Sequence, residues 1–128
     1  MPSKTIMIAE DEPDLLATTR MMLEKESYKV HGFSSPIAAL SHVEDGCKEC
    51  KLVLSDIRMS GMSGFELVRR VKELRPEMKV ILMTAFKIDM KEAQIVLPST
   101  KVDAFLSKPF RSKELIEAVK QVCSAPIV

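Results

Sequence analysis

Five short apolar runs alternate with longer segments of helical period along this chain, and that alternation limits the folds it can adopt. Thr5–Ala9 reads Thr-Ile-Met-Ile-Ala, apolar throughout rather than at every second residue, as strands covered on both faces are. A weaker run spans Lys29–Phe33, and residues 52–54, 80–83 and 104–106 complete the set. Pro13 and Pro36 each suit the first turn of a helix, where a missing N–H costs nothing. Leu15, Leu16, Thr19, Met22 and Leu23 share one helical face, and Ile37, Leu40 and Val43 another. Leu67, Val68, Val71 and Leu74 form a third face, stopped near Pro76. Residues 88–97 read as a poorly patterned helix ended by Pro98. Leu115, Ile116, Val119, Val122 and Cys123 make the cleanest stripe of all.

Strand–helix repeats in this order imply a parallel sheet with helices on both faces, joined by right-handed crossovers. For five strands the expected fold is a doubly wound α/β sheet of order 2-1-3-4-5, a flavodoxin-like three-layer αβα sandwich. No linker, internal repeat or low-complexity run divides the 128 residues, so one domain is expected over 1–128, with its core at about 4–123.

Charge excludes some partners. Nineteen Lys and Arg against eighteen Asp and Glu leave a net charge of +1, so no global field points to nucleic acid or to an anionic membrane. The apolar runs are strand-length, far below what spans a bilayer, and the N-terminal one is too short for a signal-peptide core. Three cysteines, an odd number, argue against a disulfide scaffold. A cytoplasmic location is expected.

The chemistry concentrates where open α/β sheets bind ligands, at the carboxyl ends of the strands. Strand one ends in Glu10-Asp11-Glu12, strand three at Asp56 and strand four at Thr84-Ala85, while strand five is followed by Lys108-Pro109. Taken singly these have ordinary readings. Asp11 and Glu12 suit the N-terminus of the helix that follows, Thr84 suits a buried hydroxyl, Lys108 a solvated amine and Phe105 a core ring. Taken together they put acids, a hydroxyl and an amine on one rim. Crowded carboxylates repel, and a hard divalent cation with oxygen ligands, Mg²⁺ or Mn²⁺, relieves the conflict. A carboxylate beside such a cation can act as nucleophile toward a phosphoryl donor.

In order and spacing, the segments Ile8-Ala-Glu-Asp-Glu12, Leu54-Ser-Asp-Ile-Arg-Met59 through Gly64, Leu82-Met-Thr-Ala85 and Phe105-Leu-Ser-Lys-Pro109 resemble the response-regulator receiver family (CheY-like) of two-component signalling. The resemblance covers residues 4–123. It implies Asp56 as phospho-acceptor and Asp11 as a direct metal ligand, with Glu10 as its partner through a metal-bound water. The backbone carbonyl of Arg58 is implied as a further ligand. Lys108 is implied to contact the phosphoryl group, and Lys108-Pro109 to be a cis peptide. Thr84 and Phe105 match the switch pair, in which the hydroxyl moves toward the phosphate and the ring follows it inward. That motion is implied to alter the face of the family's fourth helix, fifth strand and fifth helix, which binds a downstream protein. The phosphoryl donor is implied to be a histidine kinase or phosphotransfer protein, and catalysis to be limited to self-phosphorylation and slow autodephosphorylation. Arg58 and Phe86 match positions flanking the path of the attacking water, where their bulk is expected to prolong the acyl phosphate.

The chain departs from the family pattern at three places. Glu10 replaces the commoner Asp, Ser60 stands where Pro is usual and is expected to loosen the loop after Asp56, and Phe105 lacks the hydroxyl of the common Tyr. Three rival functions are open. A haloacid-dehalogenase-type phosphotransferase needs a second Asp two residues after the nucleophile, where this chain has Arg58. A flavin-binding protein needs a phosphate loop that Glu10 to Glu12 would repel. A degenerate receiver acting only as a protein-binding module needs none of the acidic side chains, yet all are present.

Cys47-Lys-Glu-Cys50, with His42 nearby, invites a zinc or redox reading. A structural zinc takes four ligands, and the chain offers no second Cys pair. Cys123 and His31 are remote in sequence. His31 is therefore expected to pack on its strand and Cys123 to lie in the core.

Overall fold

The computed structural model describes residues 4–85 and 102–123, and within them the five strands form one parallel sheet of order β2-β1-β3-β4-β5. The strands are β1 (Thr5–Ala9), β2 (Lys29–Phe33), β3 (Cys50–Asp56), β4 (Lys79–Thr84) and β5 (Ala104–Ser107). The helices are α1 (Pro13–Lys25), α2 (Pro36–Glu44), α3 (Gly64–Leu74) and α4 (Ser112–Cys123). The predicted helix over residues 88–97 lies outside the described residues.

Successive residues of a strand point to opposite faces, which explains why β1 is buried along its whole length. Ile6 and Ile8 join Leu52, Leu54, Ile81 and Met83 in a core closed by Leu115 and Val119 of α4 and Leu23 of α1. Met7 and Ala9 turn the other way, onto Leu40 and Val43 of α2 and Leu67 and Val71 of α3. Truncating any one of the large aliphatic members of these layers to Ala costs about 2–5 kcal/mol.

The helix starts follow local chemistry. Ser35 Oγ accepts the backbone N–H of Ala38 at 3.3 Å, Ser63 Oγ accepts that of Glu66 at 3.2 Å, and Pro occupies the first turn of α1 and α2. Three apolar positions differ from the periodic reading. Ile37 is 56% exposed, Leu74 49% and Leu15 36%, because each sits at the edge of its stripe where the sheet no longer covers it. β3 also starts two residues before the Leu-Val-Leu run, since its first residue, Cys50, is already paired with Thr5. Among the described residues no helix is long and apolar enough to cross a membrane.

Candidate functional site: an acidic notch at the strand ends

The strand order reverses direction between β1 and β3, and the crevice at their carboxyl ends is where this architecture binds ligands. Glu10 and Asp11 leave the end of β1, and Asp56 closes β3 beside it. One carboxylate oxygen from each of Glu10, Asp11 and Asp56 lies within 4.8 Å of the others. Glu10 is 1% exposed and Asp56 8%, so two of the three carboxyls are largely removed from water.

Lys108, just beyond β5, enters the notch from the other side. Its Nζ stands 2.7 Å from Glu10 Oε1 and 3.2 Å from Asp56 Oδ2. The Lys108–Pro109 peptide is cis, as the resemblance implied, and the Lys108 N–H donates to the Thr84 carbonyl at 2.7 Å. The electrostatics are unbalanced. Burial pushes the Glu10 carboxyl above its usual range; its hydrogen bond to Lys108 opposes this, while the charge of Asp56 adds to it. Burial works against the Lys108 charge too, but the bond to Glu10 and the two carboxylates outweigh it and hold the amine protonated above the ordinary lysine range. Among the described residues these three acids share the ammonium of Lys108, and the raised Glu10 pKa marks carboxylate charge that is incompletely balanced. A hard cation with oxygen ligands fits that deficit and that donor set.

Asp56, Arg58, Thr84 and Lys108 line one cavity of about 200 Å³, together with Glu12, Leu15, Ile57 and Ala85. Thr84 is 3% exposed at the end of β4. Phe105 is half-buried against Ile57, Val68, Val80, Leu82 and Val102, apart from the acids. Phe86 lies outside the described residues.

Two residues shape the notch without having been singled out for it. The Ser60 N–H donates to Asp11 Oδ2 at 3.2 Å, so the loop expected to be loosened by this serine is tied to the acid instead; a proline there has no N–H to give. Gly64 opens α3 with its N–H on the Ile57 carbonyl at 2.7 Å, and a Cβ at this position would collide with the Asp56 carbonyl oxygen. Its signal in the sequence is a glycine at the junction of loop and apolar stripe, where backbone must pass close to backbone.

The redox reading of Cys47 and Cys50 loses ground here. Burial, reinforced by Cys47, pushes the Cys50 thiol up to about 12, the opposite of the depressed value a reactive Cys-x-x-Cys pair needs.

A doubly wound sheet with an acidic pocket and a lysine at its switch point defines a class of α/β proteins that bind ligands at the carboxyl ends of their strands. Within that class the assignment is specific: the family model of the response regulator receiver domain matches residues 6–120, and the chain belongs to that family. It is 35% identical over 116 residues to the Heme response regulator HssR of Staphylococcus epidermidis, covering 91% of this chain and 50% of that protein. It is 32% identical over 123 residues to the response regulator receiver protein CpdR of Brucella abortus, covering 95% of this chain and 98% of that one. The chain thus spans about half the length of HssR and nearly all of CpdR. Among solved structures it superposes on a CheY-like receiver domain from Methanospirillum hungatei with a TM-score of 0.83 at 29% identity, over 94% of this chain and 93% of that one. The response regulator TrrA of Thermotoga maritima, solved in complex with Mg²⁺ and BeF, matches with a TM-score of 0.79 at 28% identity, over 93% of this chain and 98% of that one. Receiver domains are generally non-enzymatic signalling modules, phosphorylated by histidine kinases or phosphotransfer proteins, and typically bind Mg²⁺ at an acidic pocket.

Proposed function

We propose that this receiver domain accepts a phosphoryl group on Asp56 from a histidine kinase or phosphotransfer protein, and that the modified state is read by a downstream protein. The observation that carries this is the notch itself, in which three carboxylates share one small volume with a single lysine that reaches two of them. Glu10, Asp11, Asp56 and the Arg58 carbonyl would hold Mg²⁺ or Mn²⁺. When bound, the ion supplies positive charge against the phosphoryl oxygens and lets the acids crowd without protonation.

The chain's own groups do the rest. An oxygen of Asp56 attacks phosphorus in line, the P–N bond to the donor's phosphohistidine breaks (P–O where acetyl phosphate is the donor), and the leaving imidazole takes the electron pair. Lys108, held protonated, exchanges its contact with Asp56 for one with the incoming phosphoryl oxygens. Thr84 donates its hydroxyl to another of those oxygens, and Phe105 follows it inward from its half-buried place on the β4–β5 side. The face that changes is that of the family's fourth helix, fifth strand and fifth helix. Arg58, on the wall of the same cavity, screens the acyl phosphate from water, so Arg58→Ala shortens its half-life by several-fold in a phosphate-release assay.

The direct test is to incubate the chain with Mg²⁺ and acetyl phosphate and measure intact mass. One phosphoryl group is expected on the native chain and none on Asp56→Asn. No uptake by a native chain shown to be folded would favour a phosphorylation-independent binding module.

A further inference from the structure

At the opposite end of β3 a second cluster gathers, made of nitrogen and sulfur rather than oxygen. Cys50 opens β3, while Asp56 closes it; six residue steps along the strand put them about 20 Å apart. His31 of β2, remote from His42 in sequence, stacks on it with ring centroids 5.0 Å apart. Cys50 Sγ lies 4.0 Å from His42 Nε2 and 3.7 Å from Cys47 Sγ. A ring nitrogen of His31, a ring nitrogen of His42 and the Cys50 sulfur all fall within 4.8 Å of one another. The sequence expectation that His31 is too far to serve with the Cys-x-x-Cys pair is therefore corrected: parallel pairing of β2 with β1, and of β1 with β3, brings it there.

We propose that His31, His42, Cys47 and Cys50 form a tetrahedral site for a divalent transition metal of the zinc class, independent of the acidic notch. Zn–S bonds of about 2.3 Å and Zn–N bonds of about 2.0–2.1 Å place tetrahedral neighbours about 3.8 Å apart for two sulfurs and about 3.6 Å apart for sulfur and nitrogen. The observed 3.7 Å and 4.0 Å lie within a few tenths of an ångström of these values, while Cys47 Sγ, close to Cys50 but outside the 4.8 Å group of His31, His42 and Cys50, would swing in to complete the four. The donor set of two thiols and two imidazoles is the one that selects zinc over magnesium.

Glu49 lies behind the His31 ring: its Oε2 stands 3.5 Å from the buried Nε2, an ion-pair distance rather than a full hydrogen bond, and is also held by Lys29 Nζ at 3.2 Å. A metal on the other ring nitrogen, Nδ1, would draw the Nε2–H onto that carboxylate, the support that ligating histidines usually have. The ion would join edge strand β2, the last turn of α2 and the start of β3 in one clip.

The test is to titrate the reduced full chain with Co²⁺ in excess Mg²⁺, which occupies oxygen sites, and to follow visible absorption. One Co²⁺ per chain with tetrahedral bands and thiolate-to-cobalt charge transfer is expected, bleached when Zn²⁺ displaces it. Cys47→Ser and His42→Gln, checked for fold by circular dichroism, should each weaken binding at least about tenfold. Alkylation of the native chain provides a readout free of variants: Zn²⁺ should protect the partly exposed Cys47. Octahedral absorption without a thiolate band, or alkylation of Cys47 at the same rate with and without Zn²⁺, would overturn the proposal.

Discussion

The two ends of β3 hold contrasting clusters. At the carboxyl end, Glu10, Asp11 and Asp56 crowd hard oxygens around Lys108, and burial leaves the charges unbalanced. At the amino end, the stacked rings of His31 and His42 gather with Cys47 and Cys50 into a cluster of nitrogen and sulfur donors. Both depend on the same parallel pairing, yet only the first carries the frustration expected of a site that stores function at a cost to stability. One sheet thus keeps two chemistries apart through the length of a strand.

Substitutions that strike one end alone break this contrast cleanly, and Lys108→Ala strikes hardest. It removes the ammonium that reaches both Glu10 and Asp56, so phosphoryl uptake from acetyl phosphate should fall about 10²–10³-fold, as when a preorganised donor to a developing charge is lost. Initial rates of mass gain measure this, and an uptake within a factor of two of native would remove Lys108 from the mechanism.

Gly64→Ala comes next. The new methyl meets the Asp56 carbonyl oxygen, backbone that cannot yield without moving β3's last residue, so the chain should lose roughly 1–3 kcal/mol and phosphorylate more slowly. Chemical denaturation gives the first number. A stable variant with full uptake would show that α3 does not set the position of Asp56.

The smallest effect, and the sharpest for the charge argument, is Glu10→Gln. Because burial raises the Glu10 pKa in the folded chain above its ordinary 4.5, its ionised form costs stability at neutral pH. The amide should therefore raise the stability of the metal-free chain by roughly 1 kcal/mol while weakening Mg²⁺ binding. The sign reverses no further than zero. As pH falls through the raised value and below 4.5, native Glu10 is neutral in both states and the difference between the two chains should vanish. Melting curves across that range decide it, and a native chain more stable than Glu10→Gln at neutral pH, with that advantage lost toward acid, would mean that Glu10 is stabilised as an anion.

What the sequence made legible follows from how each feature is encoded. β1 is readable because burial on both faces leaves an unbroken apolar run, and α4 because Leu115, Ile116, Val119 and Val122 keep helical period on one face. Asp56 and Thr84 end recognisable strands and Asp11 and Lys108 follow just after two others, so sheet topology brings them to one rim. The Ser60 N–H on Asp11 was hidden, since a backbone donor carries no side-chain signature. Gly64 was legible as the end of a segment that carries the family resemblance, but not in its role, which is to be small beside the Asp56 carbonyl. His31 was misjudged for a different reason: its neighbours come from a helix and another strand, and separation along the chain says nothing about register across a sheet.

The account rests on the acidic notch taking a hard cation and a phosphoryl group at Asp56. A crystal structure of the chain grown with Mg²⁺ and beryllofluoride tests it most directly. The predicted result is beryllofluoride on Asp56, Mg²⁺ against Asp11 and Asp56, and Lys108 Nζ moved from the Asp56 carboxylate onto a fluorine. Occupied Mg²⁺ elsewhere, or an unmodified Asp56 still paired with Lys108 at saturating beryllofluoride, would contradict it.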